Sequence, residues 1–134
     1  MSVYIDTSAF FAILDSGDKF HKESRDTFLK LVENKEIFHS SNYITIETIV
    51  LIQNRLGLDA VRAFQDDIIP IINIHWVDER IHNIAISSLL IARKRNISFV
   101  DYTSFEMVRN LGLKKVFTFD KHFKEQGKNN KYKL

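Results

Sequence analysis

The run VYIDTSAFFAIL at residues 3–14 contains a complete strand-to-helix transition, and it predicts the class of fold. Its first three residues are β-prone and apolar throughout, which is typical of a strand buried in a parallel sheet. Thr7 or Ser8 then stands where the N-cap of a helix is expected, ahead of an apolar run. Asp6 falls between the two elements, at the carboxyl end of the predicted strand.

Strand and helix patterns alternate along the rest of the chain, and parallel neighbouring strands require such crossover connections. The sequence therefore predicts an α/β protein in three layers (α/β/α) around a mostly parallel five-stranded sheet. We expect one domain spanning residues 1–134, with a loosely ordered basic tail at about 128–134. Further strands are predicted at residues 37–40, 71–77, 98–100 and 116–119, and further helices at about 20–32, 43–56, 59–67, 78–92 and 101–111.

The amino-acid composition limits the classes of protein to which the chain can belong. A chain of 134 residues with a hydrophobic fraction of 45% fits one globular domain. The absence of cysteine excludes disulfides, thiolate metal sites and a cysteine nucleophile. No apolar run approaches the ~20 residues that cross a bilayer, so we expect a cytoplasmic protein with no membrane partner.

The net charge of +2 permits nucleic-acid binding without requiring it. Basic residues cluster at 93–95 and along the C-terminal end, where they either contact phosphates or are simply solvated. The C-terminal lysines are Lys121, Lys124, Lys128, Lys131 and Lys133.

Two acidic residues follow predicted strands directly, Asp6 after the first and Asp120 after the last. Ligands of an open parallel sheet bind outside the carboxyl ends of its strands, so both carboxylates are expected at the functional edge. Strand-ending and helix-capping roles remain alternatives for each of them.

Glu47 lies on a predicted helix where Tyr43, Val50 and Leu51, at the i−4, i+3 and i+4 positions, form an apolar face. An unpartnered carboxylate there would cost several kcal/mol or take up a proton. A bound cation removes that penalty, and so would a buried pair with an arginine or lysine.

Asp101 stands at the predicted start of a helix, where a plain capping role would explain it. The free N–H groups and the helix dipole would keep its carboxylate ionised, which also suits a hard divalent ion. Ser104 lies on the same turn and is expected to support that carboxylate or a water molecule beside it.

Four carboxylates brought together raise one another's pKa unless a cation is present. Oxygen ligands favour Mg²⁺ or Mn²⁺, with Asp6, Glu47, Asp101 and Asp120 as the candidate metal ligands. The histidines have no zinc-site spacing; they are His21, His39, His75, His82 and His122.

The sequence lacks the residues that other enzyme chemistries with acids at the edge of such a sheet require. A dehalogenase-type phosphatase requires an acid where Ser8 stands, and the acid and lysine set of a response-regulator receiver is absent. The chain contains no GxGxxG, GxxxxGK[ST] or GxSxG motif, so neither nucleotide cofactor binding nor a nucleophile elbow is supported.

The motifs resemble those of PIN domains. The DTSA sequence at residues 6–9 resembles their opening, and SFVDYTSF at 98–105 with FTFDKHF at 117–123 closely resembles their C-terminal half. The resemblance covers nearly the whole chain and is strongest to the VapC-type ribonuclease toxins of toxin–antitoxin pairs.

This resemblance implies a sheet of order 3-2-1-4-5 and an acidic pocket that cleaves RNA with Mg²⁺ or Mn²⁺. Asp6 and Asp101 would be the principal metal ligands and Glu47 and Asp120 would complete the pocket, with Ser104 supporting it. It also implies a homodimer and a small antitoxin partner. Basic groups expected to hold the RNA backbone are Arg93, Lys114, Lys115 and Lys121.

Two alternatives remain open. The same acids could cleave DNA, or serve RNA processing outside a toxin pair. A non-catalytic RNA-binding module of the same fold is the alternative from another class, although none of the four acids is missing.

Overall fold

A computed structural model describes residues 1–126, and the predicted basic tail at 128–134 lies outside this range. Within it, four parallel strands form one sheet in the order β3-β2-β1-β4. The strands are β1 (Ser2–Ile5), β2 (Ile37–Ser41), β3 (Ile72–His75) and β4 (Val116–Phe117). The α/β class and the parallel sheet predicted from the sequence are confirmed.

Helices connect all the strands. No helix in residues 1–126 is long and apolar enough to cross a membrane. The α-helices are α1 (Thr7–Leu14), α2 (His21–Glu33), α3 (Asn42–Leu56), α4 (Leu58–Ala63), α5 (Glu79–Ala92), α6 (Phe99–Leu111) and α7 (Lys121–Gln126), with a π turn (Phe64–Ile68) and a 3-10 turn (Ile69–Ile71) before β3.

The core centres on β1, whose residues Val3, Tyr4 and Ile5 have no exposed surface. Successive side chains of a strand point to opposite faces, so helices must cover both faces of the sheet. The central position of β1 brings Asp6, directly after it, to the middle of the carboxyl edge. The fold thereby places an ionisable carboxyl at the edge of an apolar core.

The sheet has four strands in the described part of the chain, and the five predicted strands are one too many. Residues 98–100, predicted as a strand, instead begin α6: Ser98 is its N-cap and Phe99 its first residue. Reciprocal hydrogen bonds between Ser98 and Asp101 form a capping box, and this local bonding overrides the short β-prone run. The strand at residues 116–117 is therefore the fourth and pairs directly with β1, so the order β3-β2-β1-β4 agrees with the first four positions of 3-2-1-4-5, and no fifth strand lies within residues 1–126.

Candidate active site

Asp6 is the most buried acid at the carboxyl edge, with 4% of its surface exposed. It is the N-cap of α1, contrary to the prediction of Thr7 or Ser8, and its Oδ1 accepts from the N–H of Ala9 at 3.3 Å. Burial raises the pKa of the Asp6 carboxyl from 3.8 to about 7, and Asp120 nearby raises it slightly more. Without a cation, this carboxyl therefore tends to hold a proton near neutral pH.

Two hydroxyl groups orient the Asp6 carboxylate. Thr118 Oγ1 donates to its Oδ2 and Ser8 Oγ to its Oδ1, each at 2.8 Å. The same two oxygens accept backbone N–H groups, Thr118 Oγ1 from Asp120 and Ser8 Oγ from Phe119, each at 2.9 Å. The segment after β4 is thereby fastened to the start of α1, which brings Asp120 beside Asp6.

Glu47 is half-buried on α3 and is held by a further hydroxyl group, that of Thr7. Thr7 Oγ1 donates to Glu47 Oε1 at 2.6 Å, and the buried Thr48 hydroxyl donates to Thr7 Oγ1 at 3.2 Å. Among the lysine and arginine side chains that the structure describes, none forms an ion pair with Glu47. The alternative of a buried salt bridge is therefore not what the structure shows.

Asp101 occupies the third position of α6, not the cap, and its Oδ2 accepts from the N–H of Ser98 at 3.2 Å. Its pKa is raised to about 6, first by burial and then by the charge of Asp120, with a smaller contribution from Glu47. Because Asp120 also acts on Asp6, the four predicted acids form one electrostatically coupled group. Asp120 itself accepts from the N–H of His122 at 2.9 Å.

Ser104 is fully buried beneath this group, and its contact differs from the prediction. The hydroxyl of Tyr4 on β1 donates to Ser104 Oγ at 2.9 Å, whereas no hydrogen bond joins Ser104 to Asp101 in the described structure. Burial raises the pKa of Tyr4 to about 12, and the charges of Asp6 and Asp101 contribute. The structure therefore joins Ser104 to Tyr4 on β1, and its support of the acidic pocket stays a prediction.

The donor set fits Mg²⁺ or Mn²⁺. Every donor is a carboxylate oxygen, and the pKa values of Asp6 and Asp101 are raised first by burial and further by the charge of Asp120, so a bound cation would favour their ionised forms. Among residues 1–126, no three acids or histidines form a ready-made cluster around one ion. Mg²⁺ usually takes one or two protein carboxylates and completes its shell with water and substrate phosphate oxygens, so such a cluster is not required.

Three of the basic residues predicted to bind RNA, Lys114, Lys115 and Lys121, are divided between the two edges of the sheet. Lys121 is exposed and directly follows Asp120 at the carboxyl edge. Lys115 precedes β4 and lies 3.9 Å from Glu36, which precedes β2, so both lie at the amino edge. Lys114 is beside Lys115, so these two lysines lie at the opposite edge from the acids, and their contact with the RNA backbone stays a prediction.

A largely apolar groove of about 610 Å³ lies beside Glu47, between α3 and the first turns of α5 and α6. Tyr43, His82 and Phe99 line it, and the Tyr43 hydroxyl lies 2.6 Å from His82 Nδ1. The sequence showed only the α3 half of this groove, as the apolar face around Glu47. Nothing local linked that face to residues 82 and 99.

Reasoning from the sequence missed the hydroxyl groups that orient the acids. They belong to Thr7, Ser8, Thr48 and Thr118. Their positions next to acids, in DTS and FTFD, were the available signal. Serine and threonine are also common as helix caps, so position alone did not distinguish the two roles.

Comparison with known families agrees with the parallel sheet. The family model of the PIN domain matches residues 3–129 of this sequence. The chain belongs to the PIN-domain family. The resemblance seen in the sequence motifs is thereby confirmed.

This PIN domain is 27% identical over 126 residues to the 23S rRNA-specific endonuclease VapC20 of Mycobacterium tuberculosis, covering 93% of this chain and 94% of VapC20. The crystal structure of that protein, described as a sarcin-ricin loop cleaving toxin, matches with a TM-score of 0.81 and 28% identity, over 93% of this chain and 95% of that one. FitAcB from Neisseria gonorrhoeae matches with a TM-score of 0.71 over 98% and 96% of the chains, and its 15% identity supports the fold alone.

Proposed function

We propose that this PIN domain is an endoribonuclease that requires Mg²⁺ or Mn²⁺ and hydrolyses RNA phosphodiester bonds. The observation that carries the proposal is the coupled group of Asp6, Glu47, Asp101 and Asp120 at the carboxyl edge, in which two carboxyls have raised pKa values. The similarity to VapC20, a protein named as an endonuclease, supports a nuclease activity.

The four acids have two different roles in the proposed site. Asp6 and Asp101 hold the ion, because burial and the charge of Asp120 disfavour their ionised forms and a bound cation offsets that cost. Glu47 and Asp120 each keep one carboxylate oxygen without a hydrogen bond in the described structure, so each has an oxygen free to accept a proton from water.

When bound, the divalent ion offsets charge that develops on the scissile phosphate and makes water a better nucleophile. The hydroxyl groups of Thr7, Ser8 and Thr118 keep the carboxylates aimed at the same space before substrate arrives. Such prior orientation avoids reorganisation during the reaction.

The decisive experiment offers matched RNA and DNA oligonucleotides to the purified protein with Mn²⁺, Mg²⁺ or EDTA. We expect RNA cleavage with either ion and none in EDTA. Because VapC20 is described as cleaving the sarcin-ricin loop, a hairpin with that loop belongs in the RNA set. Cleavage of DNA alone would replace the RNA proposal with the DNA alternative, and binding without cleavage would favour the non-catalytic module.

We also propose that the protein is the toxin of a type II toxin–antitoxin pair, inhibited by a small antitoxin, and that it forms a homodimer. Exposed apolar side chains on α3 and α5 support protein association: Ile46, Val50, Leu90 and Ile91 are each more than half exposed.

Two experiments test these proposals. Induced expression of the protein should arrest growth, and co-expression of the neighbouring open reading frame should restore growth. Light scattering should give twice the mass of one chain. Unimpaired growth would argue against the toxin assignment and a monomer against the dimer.

A further inference from the structure

Two histidines outside the acidic pocket lie in contact on neighbouring strands. Nδ1 of His39 on β2 is 2.8 Å from Nε2 of His75 on β3, and the two rings are nearly parallel, with centroids 5.1 Å apart. In the strand register His39 is opposite Asn73, so His75, two residues further on, projects from the same face of the sheet. Both side chains are partly exposed and within reach of dissolved ions.

The separation of the two nitrogens is close to that of two ligands of one metal ion. Two metal–nitrogen bonds of about 2.0–2.1 Å that meet at a right angle place their nitrogens about 2.8–3.0 Å apart. The contact already brings the two imidazole nitrogens to 2.8 Å. On binding, each ring turns until its nitrogen lone pair points at the ion instead of along the N···N line, and the hydrogen of the donating nitrogen moves to the other nitrogen of the same ring. Right-angled nitrogen ligation is the geometry of Cu²⁺ and Ni²⁺, whereas Zn²⁺ prefers wider angles.

We propose that His39 and His75 form a two-imidazole site for a late transition-metal ion, with Cu²⁺ and Ni²⁺ as its preferred ligands. The ion would bridge β2 to β3, the strand at one edge of the sheet, with water completing its coordination. This site differs in chemistry from the acidic pocket, since Mg²⁺ and Mn²⁺ prefer oxygen ligands.

The protonation of the pair agrees with this assignment. The pKa of His39 is lowered, first by burial and then by the charge of His75, which keeps its imidazole neutral and its lone pair available near neutral pH. Metal binding requires that neutral form.

The chain contains its own reporter of binding. Trp76 is the only tryptophan, directly follows His75 and is 75% exposed. Because Cu²⁺ and Ni²⁺ quench tryptophan fluorescence at short range, an untagged protein can be titrated with Cu²⁺ or Ni²⁺ alone. We expect saturable quenching with one ion per chain, unaffected by excess Mg²⁺.

The variants His39→Asn and His75→Asn should each abolish saturable quenching, whereas His82→Asn, a histidine on α5 bonded to Tyr43, should titrate like the wild type. Circular dichroism checks that each variant folds, and the Cu²⁺ EPR spectrum of the wild type should show two coordinated nitrogens. Equal quenching in the wild type and the His39→Asn/His75→Asn double variant would overturn the site. Displacement of Cu²⁺ by Mg²⁺ would also overturn it, because the ion would then lie among the carboxylates.

Discussion

The hydroxyl of Thr118 donates a 2.8 Å hydrogen bond to Oδ2 of Asp6, across 112 residues of sequence. The bond joins the residue that follows β4 to the residue that follows β1, at the centre of the carboxyl edge. It favours the ionised form of a carboxyl whose burial favours protonation. Metal binding at Asp6 should therefore depend on this threonine, although it is not itself an acid.

Replacing Thr118 with valine should lower cleavage activity and apparent metal affinity about 10–100-fold, the usual effect of removing a group that orients a metal ligand. The variant keeps the shape of the side chain but leaves Asp6 Oδ2 and the N–H of Asp120 without their partner. RNA cleavage measured over a series of Mn²⁺ concentrations tests this prediction. Thr45→Val is the matched control, because within the described part of the chain the Thr45 hydroxyl bonds the backbone of Ser41 and no acid. Equal loss in both variants would contradict an orienting role.

Asp101→Asn should reduce the cleavage rate by at least about 100-fold, or about 2.7 kcal/mol in the activation barrier, while the fold persists. Asparagine can still accept the N–H of Ser98, so the capping box is largely retained. Ser98→Ala separates the two roles: loss of the cap should lower stability by about 1 kcal/mol with little effect on cleavage.

Asp6→Asn should behave like Asp101→Asn, and the double variant should be little worse than either, because the two acids act as one unit. RNA binding should persist in all three proteins. Single-turnover cleavage and chemical denaturation supply the two measurements. A fully active Asp101→Asn protein would exclude the proposed site.

Divalent metal should stabilise the folded protein. Binding to the native state alone raises the free energy of unfolding by about 2.7 kcal/mol at a hundredfold excess over Kd. Thermal melts in Mg²⁺, Mn²⁺ and EDTA should show the difference, and Asp6→Asn should diminish it. Identical melts in all three conditions would argue against a metal site among the acids.

In EDTA, the protein should lose stability as the pH rises from about 4 to above 7. The folded-state pKa of Asp6, about 7, exceeds the reference value of 3.8, so the folded protein binds the proton more tightly than the unfolded chain. The resulting stabilisation is complete below the unfolded pKa and is lost as the pH rises through the folded pKa. Asp101, with a pKa of about 6, acts in the same direction.

The comparison of wild type with Asp6→Asn isolates this effect from other titrating groups. The wild type should lose on the order of a few kcal/mol more than the variant across that pH range. Urea denaturation at a series of pH values measures it. Parallel stability curves for the two proteins would show that Asp6 ionises normally.

Lys121→Gln should weaken RNA binding and reduce the slope of log K against log salt by about 0.7, the contribution of one phosphate contact on a single strand. Lys114→Gln is the matched control, because it removes the same charge at the opposite edge. Both are best measured in the Asp101→Asn background, where RNA remains uncut. Equal slopes for the two lysine variants would place the RNA elsewhere.

The sequence was sufficient where a rule depends on nearest neighbours along the chain. An apolar run before Asp6 identified a buried strand, and the carboxyl-edge rule then placed Asp6 and Asp120 together. The prediction of a strand from the sequence failed at residues 98–100, because β-prone side chains and a capping box compete there. The capping hydrogen bonds, which the Ser98 and Asp101 spacing permits, form within one helical turn and prevail.

By itself, the sequence determined the alternation of strands and helices, the α/β class and the acids that end the strands, because periodicity and strand ends are local properties. Only the tertiary structure decided that β4 lies directly beside β1, that Thr118 and Thr7 hold Asp6 and Glu47, and that His39 meets His75. These contacts join residues 36 to 112 positions apart. Burial in the assembled core, which no local segment contains, then raises the pKa of Asp6 and Asp101.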